Sequence, residues 1–203
     1  TQTPLRGIVH AAGTLDDGVI TDLSAQRLAD VMQVKMTGAW NLHEALAGVE
    51  LEAFISYGSI AGLWGSGQQV AYSAANAALE GLALRRKAQG LAGLCLHWGP
   101  WLGEGLVGLA SDDNRAEEEL VRRGLMPMNP ETAIDGLGAA FFYEGASLGV
   151  VDVDWSLFAR SFASMRARPL LNGVVEAYRA MNEKVVDEQL SSRREQLLEL
   201  STE

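Results

Sequence analysis

Cysteine is nearly missing: the 203 residues hold one, Cys95, so no internal disulfide can form. It lies in the apolar Leu94-Cys95-Leu96 and reads as a buried, inert thiol rather than a nucleophile. No apolar run approaches ~18 residues and no signal-peptide pattern is present, so a soluble, cytoplasmic protein without membrane contact is expected. Basic residues are in deficit, 16 Lys and Arg against 26 Asp and Glu, and no basic cluster offsets the formal net charge of −10. That excludes a nucleic-acid surface. No metal-ligand spacing is found among the three histidines and the acidic residues. Also missing is a Gly-x-Gly-x-x-Gly turn ahead of a helix, the loop that usually holds a nucleotide pyrophosphate.

What is present is an alternation of short apolar runs with helical stretches. Residues 5–10, 51–57, 94–98 and 147–154 read as strands, rich in β-formers and closed by turn residues. Between them lie helical patterns over 24–48 and 72–88, with Ser24 as N-cap of the first and Gly90 after the second. A further helix starts at Asn129-Pro130. This order implies an α/β fold with a doubly wound parallel sheet. The polar run 111–123 has the look of a lid, and 187–201 of a surface helix or linker.

The chain is organised around residues 59–76, where a strand gives way to Gly62, Gly65 and Gly67, which break regular structure, and then to an Ala/Leu-rich helix. Open α/β sheets place their sites at such junctions. Tyr72 and Asn76 stand four apart and share a helix face. A free phenol, with a pKa of about 10, is a poor acid, and a nearby ammonium would lower that value. Lys35 is the candidate. It sits in an apolar helical stripe with Leu28, Val31, Met32, Ala39, Leu42 and Leu46, a costly place for a charge without a partner. Ser59 could hold a carbonyl oxygen while Tyr72 donates to it. Taken singly, each of these residues has an ordinary structural explanation. His43 and His97 read as structural.

Together the residues resemble the short-chain dehydrogenase/reductase superfamily and, within it, the ketoreductase domains of modular polyketide synthases. The match is carried by His10-Ala11-Ala12-Gly13, Leu15-Asp16-Asp17, Lys35, the run from Phe54 to Gly62, Tyr72-Ser73-Ala74-Ala75-Asn76 and Trp98-Gly99-Pro100-Trp101. It covers residues 5–173. Ordinary members of the superfamily carry Tyr-x-x-x-Lys. Here Asn76 takes that lysine's place and Lys35 lies on the preceding helix, an exchange that is itself typical of polyketide ketoreductases.

The resemblance implies a Rossmann-like sheet whose N-terminal nucleotide-binding strands are absent from this chain. Residues 1–173 would be the C-terminal part of the catalytic domain, with a lid at 101–125, and 174–203 a helix and linker toward a carrier protein. It implies NADPH-dependent reduction of a 3-ketoacyl thioester on the phosphopantetheine arm of an acyl carrier protein. Tyr72, Ser59, Lys35 and Asn76 would be catalytic. Ala11, Ala12, Gly13, Pro100 and Trp101 would line the cofactor. Leu15, Asp16, Asp17, Trp64 and Gln69 would govern stereochemistry. Here two markers disagree: Leu15-Asp16-Asp17 goes with a D-configured 3-hydroxyl, whereas Trp64, eight residues before Tyr72, goes with the L form. Asp17 tips the reading to D. The partners implied are the missing N-terminal half and the acyl carrier protein. A non-catalytic scaffold half and a stand-alone reductase or epimerase are the alternatives, and the filled catalytic positions count against the first.

Overall fold

Strand-forming runs with apolar residues on both faces need cover on both sides. The computed structural model describes residues 3–103, 115–164 and 166–182. Within them the strands are β1 (Gly7–His10), β2 (Ala53–Ser59), β3 (Leu94–Trp98), β4 (Leu125–Met126), β5 (Ser147–Val150) and β6 (Asp152–Val153). The helices are α1 (Ala25–Met32), α2 (Gly38–Ala45), α3 (Ala61–Trp64), α4 (Val70–Ala88), α5 (Arg115–Arg122), α6 (Pro130–Ala140) and α7 (Trp155–Ala163). The expected lid lies partly, and the expected tail helix wholly, outside the described residues.

The chain forms two compact units, Thr1–Glu117 with Pro127–Asp152, and Glu118–Met126 with Val153–Glu203. In the first, four strands make one parallel sheet in the order β1-β2-β3-β5. Alternate residues of the central strands feed two cores. Phe54 and Cys95 pack with Ala39, Leu79, Leu82 and Ala83 of α2 and α4. Ile55, Leu94, Leu96 and Trp98 pack on the other face with Met128, Ala133 and Ala140. The helices therefore cover both faces, as the alternating sequence implied. β1 pairs only with β2 among the described residues, and its Val9 is 51 % exposed. The second unit is small. Its Asp154 caps α7, accepting from the amides of Ser156 and Leu157 at 2.9 and 3.2 Å.

Several boundaries differ from the sequence reading: β1 and β2 begin two residues later than expected, and the helix expected over 24–48 is broken at Gln33–Thr37 and ends at Ala45. β2 runs to Ser59 because Gly58 and Ser59 continue the ladder opposite His97 and Trp98. α4 starts at Val70, two residues before Tyr72. The stretch 147–154 is interrupted at Val151, leaving β5 and a two-residue β6. Among the described residues, no helix is long and apolar enough to cross a membrane.

Candidate active site

Val31, Lys35 and Ala39 are the buried residues of α1, of the turn that follows it and of α2. At four-residue spacing a regular helix would rotate successive members by about 40°. The segment Gln33–Thr37 instead takes a π-helical turn, in which the Gly38 amide reaches the carbonyls of Gln33 and Lys35. Such turns are rare and concentrate at functional sites. The Lys35 side chain is thereby brought inward, and the residue is 3 % exposed. Its Nζ donates to the Tyr57 carbonyl of β2 at 3.0 Å and stands 5.5 Å from the centre of the Tyr72 ring. Burial lowers its pKa from 10.5 to about 8.

Tyr72 lies one turn before Asn76 on α4. Burial raises the phenol's pKa, while hydrogen bonds with Ser59 and Asn76 pull it back and the Asp17 charge adds to the rise. The sequence reading anticipated a phenol acidified by Lys35. In the structure removal from water dominates, and the phenol titrates above its ordinary value. Asn76 is fully buried. Its Nδ2 donates to the Tyr72 carbonyl at 2.7 Å, and its Oδ1 has no hydrogen-bond partner among the described residues.

Ser59 ends β2, and its Oγ accepts from the Ala61 amide at 3.2 Å where α3 begins. The glycine-rich stretch was read as irregular throughout, but Gly62 belongs to α3. It permits close approach: a Cβ there would lie 2.9 Å from the Ala77 nitrogen and from the Asn76 Cβ. The glycine sets how near the end of β2 can come to the Tyr72 helix.

The residues expected to govern stereochemistry form a second network. Arg27 grips the Asp16 carboxylate through two nitrogens, the Nε contact being 2.7 Å, and also bonds the Asp17 carbonyl at 3.1 Å. That hydrogen-bonded pairing holds the Asp16 carboxyl below the usual carboxylate range. Gln69 donates to Asp17 Oδ2 at 2.9 Å, and the Gly18 amide donates to the Gln68 carbonyl at 2.7 Å. The Asp16-Asp17 segment is thus tied to the residues just ahead of Tyr72. Leu15 is half-buried beside it, and Trp64 is half-buried at the end of α3.

Ala11 and Ala12 are exposed immediately after β1, with Gly13 half-buried. Two methyl groups and a glycine at the C-terminal end of a parallel strand fit the flat nicotinamide end of a dinucleotide. Pro100 and Trp101 are engaged with another segment. The Met128 amide donates to the Pro100 carbonyl at 2.8 Å, and Trp101 packs edge-on against Trp98 with ring centres 5.1 Å apart. Two histidine contacts also went unread in the sequence. His10 Nε2 lies 2.9 Å from the Lys35 carbonyl, and His97 Nδ1 lies 3.0 Å from the Ser59 carbonyl. The only hint was a histidine in or closing each of two apolar strands.

Comparison with known proteins bears on this arrangement. The family model of the KR domain matches residues 1–103. The chain is 40 % identical over 180 residues to the pikromycin polyketide synthase component PikAIII of Streptomyces venezuelae, covering 89 % of this chain and 11 % of that protein. The solved structure of A-type ketoreductases from a modular polyketide synthase superposes with a TM-score of 0.81 at 36 % identity, over 87 % of this chain and 37 % of that one. The first ketoreductase of the tylosin polyketide synthase gives 0.77 at 41 % identity, over 86 % and 38 %. The chain spans a small fraction of the curated relative and less than half of either solved structure.

Two outcomes follow from the packing and the charge. Gly62→Ala should destabilise the fold by about 1–3 kcal/mol, because α3 and α4 must separate to admit the methyl group; urea unfolding measures this. Lys35 carries a penalty of the opposite kind. Between pH 8 and 10.5 the unfolded chain still binds the proton that the folded chain has released, so stability rises with pH across that window. Below it the penalty is present in full, roughly 3 kcal/mol at ~1.4 kcal/mol per pKa unit. Lys35→Met should therefore gain up to that amount at pH 7, and the gain should shrink as pH rises above 8.

Proposed function

Because the chain belongs to the KR domain family, we propose that it is the C-terminal catalytic part of a polyketide-synthase ketoreductase. Its reaction is reduction of a 3-ketoacyl thioester, carried by phosphopantetheine on an acyl carrier protein, to the 3-hydroxyacyl thioester. NADPH, when bound, supplies the hydride. The observation that carries this reading is the buried Lys35 ammonium, 5.5 Å from the centre of the Tyr72 ring, with Ser59 closing β2 and Asn76 one turn along α4 from Tyr72.

The roles follow from charge and geometry. The Ser59 hydroxyl holds the ketone oxygen. Tyr72, kept protonated at neutral pH by its burial, gives its phenolic proton to that oxygen as negative charge develops there. The phenolate left behind is stabilised by the Lys35 charge and by the Asn76 side chain. Asn76 Oδ1 adds a buried acceptor that can orient a donor beside the phenol without itself carrying a proton. Ala11, Ala12, Gly13, Pro100 and Trp101 are the residues that would hold the nicotinamide. Asp17, held by Gln69, supports a D-configured product. An N-terminal nucleotide-binding half would join at the open edge of β1, where Val9 is half exposed. The presence of Ser59, Tyr72 and Asn76 together, with Lys35 buried beside the Tyr72 ring, weighs against a non-catalytic scaffold.

Tyr72→Phe in the complete ketoreductase should abolish reduction of a simple ketone, followed by NADPH absorbance, while leaving cofactor affinity within about twofold. Retained reduction would refute the role of Tyr72. The same assay run against pH should show kcat steady below about 8 and falling above it, as Lys35 loses the proton whose charge stabilises the phenolate.

A further inference from the structure

Resting on the reduction proposed above, we infer that His10 and His97 are positioning residues, placing Lys35 and Ser59 through their backbone carbonyls. The two rings lie on the strands flanking β2. His10 closes β1 at 7 % exposure, and His97 is fully buried in β3. Each directs one nitrogen at a carbonyl, His10 Nε2 at Lys35 and His97 Nδ1 at Ser59. A carbonyl only accepts, so the proton sits on Nε2 in His10 and on Nδ1 in His97. Burial lowers the His97 pKa and keeps that ring neutral. The Glu80 carboxylate lies 3.5 Å from His97 Nε2, which makes no hydrogen bond among the described residues.

Both carbonyls sit where regular structure breaks. Lys35 belongs to the π-helical turn, whose hydrogen bonds depart from the spacing of a regular helix. His10 reaches its carbonyl because Gly38 follows: a Cβ there would come within 3.2 Å of the ring's Cε1. Ser59 is the last residue of β2, where the chain swings into α3 and the next amide, Ile60, bonds the Trp98 carbonyl at 3.0 Å. A ring donor at each break sets where Nζ and Oγ come to rest. Both histidines act through the main chain and contact neither substrate nor the transferred proton.

A crossed pair of substitutions tests this. A glutamine amide places its nitrogen close to where ring Nε2 lies, and an asparagine amide close to ring Nδ1. In the complete ketoreductase, His10→Gln and His97→Asn should keep kcat within about threefold, whereas His10→Asn and His97→Gln should lose about tenfold with KM nearly unchanged. A role in packing alone would not invert the order of the two amides between positions. The same order at both sites, the expected order at only one, undiminished kcat throughout, or loss of folding in all four variants overturns the inference. Tyr72→Phe, assayed alongside, separates the two levels. If it still reduces, the catalytic reading fails; if it is inactive and the crossed order is missing, only the histidine inference fails.

Discussion

A lysine ammonium inside an apolar stripe is the constraint around which this molecule is arranged. Withdrawing such a charge from water costs several kcal/mol unless something replaces the water. Here the replacements are one main-chain carbonyl, that of Tyr57, and the face of Tyr72 at a distance where a cation and an aromatic ring attract. Neither is a carboxylate, so Lys35 keeps its charge without being neutralised by a fixed anion at contact distance. A cation held in this way remains able to stabilise negative charge that appears later. If the proposed role holds, stability has been given up for that readiness.

The opposed shifts of Lys35 and Tyr72 share one origin. Leaving water favours the neutral form of each, so the lysine titrates lower and the phenol higher than usual. Near neutrality the pair is ammonium beside phenol, a state suited to giving a proton rather than taking one. β2 is the spine of the arrangement. It supplies the Tyr57 carbonyl, ends on Ser59, and anchors both cores through Phe54 and Ile55.

Much of this was legible in the residues. Strand–helix alternation implied the parallel sheet, and the stripe of apolar residues on α1 and α2 exposed Lys35 as anomalous before any coordinates were considered. What escaped were features with no side-chain signature. Backbone carbonyls at Lys35, Tyr57 and Ser59 have the same chemistry at every position, so nothing marked them as partners for a lysine or a histidine. Gly62 was taken for a breaker of regular structure when its role is to let two helices approach. The phenol's pKa was misjudged because charge proximity can be guessed from a motif, whereas depth of burial depends on how the whole unit packs. The expected lid and tail fall at least partly beyond the described residues.

Cys95 lies at the centre of the sheet with no exposed surface, and burial pushes its thiol up to about 12. Alkylation and disulfide exchange need a thiolate within reach of solvent. In the native fold neither condition is met, so reaction must wait for β3 to part from its neighbours. The chain's lone sulfhydryl therefore acts as an intrinsic clock for sheet opening, read out by its rate of labelling without any engineered probe.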